Sequence, residues 1–132
     1  MNIALVLLTL FIIKHFICDF TKIQTPAMYM NKGTYGHPGG IAHACVHVVA
    51  SALILCFFIP AVEPRGVWEN LGIFVGLLLF EGLVHYHMDW FRLWWNERKG
   101  YRCDLSDKFW FWLGIDQMVH YLTYIIMVLV WI

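Results

Sequence analysis

An all-α bundle of four transmembrane helices is the fold class that the sequence predicts, and three observations carry it. The 132 residues are 61% hydrophobic and only 14% charged, which departs strongly from an ordinary soluble domain. The apolar residues fall into four runs, at about residues 3–20, 41–61, 67–91 and 109–132. Each is near the roughly 20 residues that a helix needs to cross a bilayer core. The connections between them are short, so we expect a single transmembrane domain over residues 1–132 with no room for a separate soluble one.

The first run follows only Met1 and Asn2, with no basic leader and no small-residue cleavage site, and reads as a retained helix rather than a removed signal peptide. The second ends in a turn marked by Pro60 and Pro64, which returns the chain for the third. Orientation follows from the basic residues. Lys22, Lys32, Arg92, Arg98, Lys99, Arg102 and Lys108 lie on one side, in or beside the two longer connections, against Arg65 alone on the other. The positive-inside rule therefore puts both longer connections in the cytoplasm and both termini outside. Trp90, Trp94, Trp95, Trp110 and Trp112 mark the cytoplasmic interface, and Trp68 and Trp131 the opposite one. Cys18, Cys45, Cys56 and Cys103 form no CxxC pair and read as reduced, structural thiols. With zero net charge, membrane lipids are the expected partners and nucleic acid is not; a homo-oligomer stays open.

Ionisable residues inside such spans cost roughly 2.5–3.5 kcal/mol per aspartate on insertion scales, so those present need a partner or a task. They come in pairs: His15-x-x-x-Asp19, His43-x-x-x-His47, His85-x-x-x-Asp89 and Asp116-x-x-x-His120, one pair per helix. A spacing of four sets both side chains on one face, about 6 Å apart along the axis. Despite the alternating helix directions, all four pairs fall at the cytoplasmic end. They take in five of the seven histidines and three of the five aspartates, while His37, Asp104 and Asp107 fall in connections and His87 points off the shared face. Glu81 lies one turn deeper than His85 on the same stripe and is the candidate general base or a further ligand. Lys14 borders His15 but is expected to point elsewhere, snorkelling or pairing with an acidic neighbour. The order HxxxD, HxxxH, HxxxD, DxxxH also suggests two pseudo-repeated helical hairpins.

The candidate metal ligands are thus His15, Asp19, His43, His47, His85, Asp89, Asp116 and His120, a mixed set of the kind that four-helix bundles use for dimetal centres. Three aspartates, or four carboxylates with Glu81, leave a charge of minus three or minus four that two divalent ions would balance. One ion with carboxylates orienting its histidines is the simpler variant. Zinc is favoured, with iron or manganese as alternatives. A histidine and carboxylate proton relay is the main reading without metal.

The series His15-x-x-x-Asp19-Phe20 with Gln24, His43-x-x-x-His47, His85-x-x-x-Asp89 and Asp116-Gln117-x-x-His120 resembles a family of small bacterial and phage membrane proteins known only as domain of unknown function 3307. The resemblance covers nearly the whole chain and implies a polytopic protein of the bacterial inner membrane, without an activity. A remoter chemical likeness is to membrane-bound metal-dependent hydrolases, which hold zinc near one membrane face; their helix number differs, so only the chemistry is comparable.

The functional expectation is a metal-dependent hydrolase acting on a lipid-like substrate at the cytoplasmic leaflet, with a metal-activated water as nucleophile. Glu81 would shuttle protons, and Lys22, Arg92, Arg102 or Lys108 would hold a phosphate. A di-iron oxidoreductase ranks lower because HxxHH-type clusters are absent. A divalent-metal transporter or sensor meets the difficulty that the outer helix halves are nearly all apolar. A haem carrier using His47 and His120 leaves the aspartates unexplained. A metal-stapled structural or interaction protein completes the set.

Overall fold

A computed structural model describes residues 2–59 and 65–132, and among them the chain is mostly helical, without a strand. Five helices occur: α1 (Ile3–Phe20), α2 (Pro26–Asn31), α3 (Pro38–Phe57), α4 (Val67–Lys99) and α5 (Asp107–Trp131). All but α2 are long and apolar enough to cross a membrane, and this fits a polytopic membrane protein. The expected Pro60 and Pro64 turn lies outside the described residues.

The helix ends differ from the apolar runs for local reasons. His37 caps α3, its Nδ1 accepting from the Gly39 amide at 3.0 Å, and Pro38 takes the first helical position, where a missing N–H costs nothing. The helix therefore begins before the apolar run does. α4 continues past Phe91 to Lys99 because no breaker intervenes before Gly100, whose φ of 66° supplies the left-handed cap. At 33 residues, about 50 Å at 1.5 Å per residue, it outruns the roughly 30 Å of hydrocarbon. Hydropathy marks where a helix leaves lipid, not where it ends. α2 was not expected: Thr25 caps it through Met28 N at 3.4 Å and Pro26 opens it, but six residues are too few to show an apolar period.

α1 packs against α3 and α5, and α4 packs against the same two, so the four long helices close a ring with α1 diagonal to α4. α2 lies on α3. Gly39 makes that approach possible, since a Cβ there would overlap the Ala27 carbonyl. Each long helix turns one stripe inward, and each stripe is divided. Toward one end the core is apolar: Leu7 and Phe11 of α1, Leu55 of α3, Leu77 of α4, and Tyr124, Met127, Val128 and Trp131 of α5. Toward the other end the same stripes carry Lys14, His15, His43, His47, Glu81, His85, Asp89, Arg92, Asp116 and His120, all buried. Arg65 donates to the Trp131 carbonyl at 3.2 Å, closing the apolar end. A cluster of aromatics, among them Trp95 and Trp112 with centroids 5.8 Å apart, flanks the polar end.

Candidate metal centre

The spacing of four brings every predicted pair to the interior, but the eight residues are not equivalent. Asp19, His43, His47 and His85, from α1, α3 and α4, each offer one ligand atom, and these atoms lie within 4.8 Å of one another. His85, Asp89 and His120 form an adjoining group by the same measure, sharing His85. Asp19 Oδ1 is 2.9 Å from His43 Nε2 and 3.5 Å from His47 Nε2, and His43 Nε2 is 3.2 Å from His85 Nε2. Ligands about 2.0–2.1 Å from a tetrahedral ion stand roughly 3.3 Å apart. These three separations match the edges of a single tetrahedral site, and all the others in the first group stay within 4.8 Å.

The imidazoles are packed closely: the rings of His47 and His85 are tilted with centroids 3.7 Å apart, and those of His85 and His120 are stacked at 4.1 Å. Several polar atoms in this core have no hydrogen-bond partner among the described residues. They include both ring nitrogens of His47, Nδ1 of His85 and Nε2 of His120. An unsatisfied buried polar group costs about 1–3 kcal/mol, so the donor set is better suited to a bound cation or water than to a dry, self-contained core.

His15 and Asp116 stand outside both groups. His15 Nδ1 meets Tyr124 Oη at 2.9 Å, and its Nε2 donates to Gln117 Oε1 at 3.0 Å and faces Asp19 Oδ2 at 3.1 Å. Its place is that of an orienting group for the Asp19 carboxylate. Asp116 faces Arg92 Nε at 3.1 Å and His120 Nε2 at 3.3 Å. His87 is on the exposed side, held by the Leu83 carbonyl at 2.7 Å.

Three cations enter the same core, and they change its electrostatics. Lys14 points inward and not elsewhere as expected, forming an ion pair with Glu81 across the bundle diagonal and donating to Ser51 Oγ at 3.0 Å; the expected pairing with an acidic residue is what draws it in. Arg92 is buried against Asp116. Lys32, at the end of α2, reaches Asp89 Oδ2 at 3.1 Å, Asp19 Oδ1 at 3.5 Å and His43 Nε2 at 3.3 Å. Gln24, with its amide turned to satisfy both ends, donates to the Asp19 carbonyl and accepts from Lys32 Nζ, both at 3.1 Å. With neutral histidines, the four buried carboxylates and three buried cations leave one net negative charge. The charge argument for two divalent ions therefore fails, because it placed these cations outside the core. One ion remains consistent with it.

Lys32 is the residue that the sequence reading missed as part of the site. No local pattern marks it, since its position depends on the 21–37 connection folding back over the helix ends. Lys14 and Arg92 did carry a signal: Leu7, Phe11, Lys14 and Cys18, and likewise His85, Asp89, Arg92 and Asn96, follow the alternating spacing of four and three that defines a buried helix face. Lys22, Arg102 and Lys108 are exposed.

The fold and site define a class: a helical bundle with four membrane-crossing segments and a buried histidine and aspartate cluster able to hold a metal ion. The chain belongs to the family described as protein of unknown function (DUF3307), whose family model matches residues 7–132. No curated protein and no solved structure matches it.

Proposed function

We propose that this protein is a metal-dependent membrane hydrolase that binds one divalent ion, zinc in preference to iron or manganese, and cleaves a lipid-like substrate at the cytoplasmic leaflet of a bacterial inner membrane. The observation that carries the reading is the convergence of Asp19, His43, His47 and His85 on one point with ligand-like separations. An ion held there would supply Lewis-acid chemistry and lower the pKa of a bound water. Asp89 and His120, alongside through His85, supply further ligands or proton acceptors. Glu81 is the general base of this scheme: one oxygen is engaged by Lys14, while Oε2 is buried without a partner among the described residues.

Two features support a lipid-like substrate. An apolar groove of about 740 Å³ runs between α1 and α3 and reaches Lys14 and Cys18 beside the polar core. It is of the size and character that holds acyl chains. The basic connections and the tryptophan cluster at the polar end support its cytoplasmic placement, with both termini outside.

The first test is elemental analysis of detergent-purified protein with Asp19→Asn and His47→Ala variants. About one ion per chain, lost in both folded variants, is the expected result; a metal-free wild type after reconstitution with zinc, manganese and iron(II) would sink the proposal. If metal binds, hydrolysis is screened on short-chain phospholipid and polyprenyl substrates, with chelation abolishing turnover. The internal cations favour a proton relay as the second reading, and proton flux in proteoliposomes of metal-free protein would select it.

A further inference from the structure

A second cavity, of about 440 Å³, lies where the 21–37 connection crosses α4 and the first turn of α5. It differs in kind from the groove between α1 and α3. Its walls include Lys32 and Arg92, together with Tyr29, Thr34 and Phe109, and Glu97 is its one carboxylate. Both cations are almost fully buried, at 6% and 7% exposure.

We propose that this cavity is a metal-dependent anion site for a phosphate monoester, which would make the substrate of the hydrolase reading a phosphorylated one. The inference rests on that reading for its metal ion. Lys32 Nζ is 3.5 Å from Asp19 Oδ1 and 3.3 Å from His43 Nε2, two of the atoms that would ligate the ion. The ammonium and the ion therefore compete for the same donors and repel each other. Lys32 sits at the end of the short α2 on a long flexible stem, so its ammonium can turn from those donors into the cavity it already lines. Arg92 awaits it there. Its pairing with Asp116 runs through Nε, and the remaining guanidinium donors are the kind that grip phosphate in a fork.

Charge sets the order of events. Without metal the buried groups sum to one net negative charge and would repel an anion. A divalent ion reverses that to one net positive charge, which attracts a phosphate monoester carrying about −1.5 to −2. Metal and anion must then bind cooperatively, each tightening the other by the same factor. The shared chemistry is the phosphate group, whether free or on a lipid.

The test uses the full chain in a phosphate-free maltoside detergent, with zinc affinity measured by indicator competition in the presence and absence of methyl phosphate or dihexanoyl phosphatidic acid. We expect either phosphate to tighten zinc binding by a factor within the ordinary range of about 5–150. Lys32→Gln and the paired change Arg92→Gln with Asp116→Asn abolish the coupling while zinc binding survives. The paired change avoids leaving Asp116 buried alone. Glu97→Gln enlarges the coupling. A larger effect from the phosphatidic acid identifies a lipid headgroup as the ligand, and an equal effect a free phosphate. Protein that binds zinc with unchanged affinity in both phosphates overturns the anion site and leaves the metal centre standing. Folded protein that binds no zinc overturns both.

Discussion

The two ends of the core are built on the same four helix stripes but held by different physics. At the apolar end, Leu7, Phe11, Leu55, Met127 and Trp131 are buried against one another, with Phe11 stacked on Tyr124 at 5.4 Å. In a bilayer the alternative to this burial is contact with lipid tails that are equally apolar, so what remains is close packing. At the polar end the alternative is far worse. Lys14, Glu81, Arg92 and Asp116 facing lipid would each be a bare charge in hydrocarbon. The apolar end fills space, whereas the polar end gives the helices a directional reason to meet in one register.

The largest effect should come from splitting a polar pair. Glu81→Leu leaves the Lys14 ammonium buried with Ser51 and a carbonyl as its only hydrogen-bond partners among the described residues, and breaking a buried pair this way costs about 3–5 kcal/mol. The double change Lys14→Met with Glu81→Leu should recover most of that, because an apolar replacement of both partners is often neutral or better. Unfolding by mixed-micelle titration gives both values. Equal loss in the single and double variants would mean that the pair does not act as a unit.

Next in size is the metal itself. His47 makes no hydrogen bond through either ring nitrogen among the described residues, so His47→Ala should shift metal-free stability by no more than about 1 kcal/mol, balancing a relieved polar group against a small cavity. Zinc at a hundred times its dissociation constant should stabilise the wild type by about 2.7 kcal/mol and the variant not at all. Thermal unfolding with and without zinc separates the two contributions.

This contrast also explains what the sequence made legible. The four helices and the inward face of each were readable because lipid imposes length and a spacing of four imposes a face, and all four pairs do lie inside the bundle. What escaped were partnerships between elements. Nothing local says that Lys14 meets Glu81 across the diagonal, or that Lys32 is carried over the helix ends by a six-residue helix. His15 and Asp19 look alike as members of one pair. Only the tertiary neighbours Tyr124 and Gln117 separate the orienting imidazole from the carboxylate at the centre.

The apolar end should respond less. Leu55→Ala costs a soluble protein about 2–5 kcal/mol, but here the transfer contribution largely drops out. We expect roughly 1–2 kcal/mol, the cavity contribution alone, with zinc affinity unchanged. Micelle unfolding and metal titration on the same sample check both halves of this statement. A loss of zinc affinity would show that the two ends are mechanically coupled.

The smallest effect should come from Asn96, the last polar residue on the inward stripe of α4. It is 4% exposed, and both of its side-chain amide atoms lack a partner among the described residues. Its backbone carbonyl already caps the helix by accepting from Tyr101 N at 2.9 Å. Replacing the amide by an apolar group of similar volume removes two unsatisfied groups and leaves that cap intact. Asn96→Leu should therefore be neutral or stabilising by up to about 1 kcal/mol, read as a shift in the unfolding midpoint. Destabilisation would mean that the amide holds a bound water or ion. The polar core would then extend one turn beyond Arg92, toward the wetter end of α4.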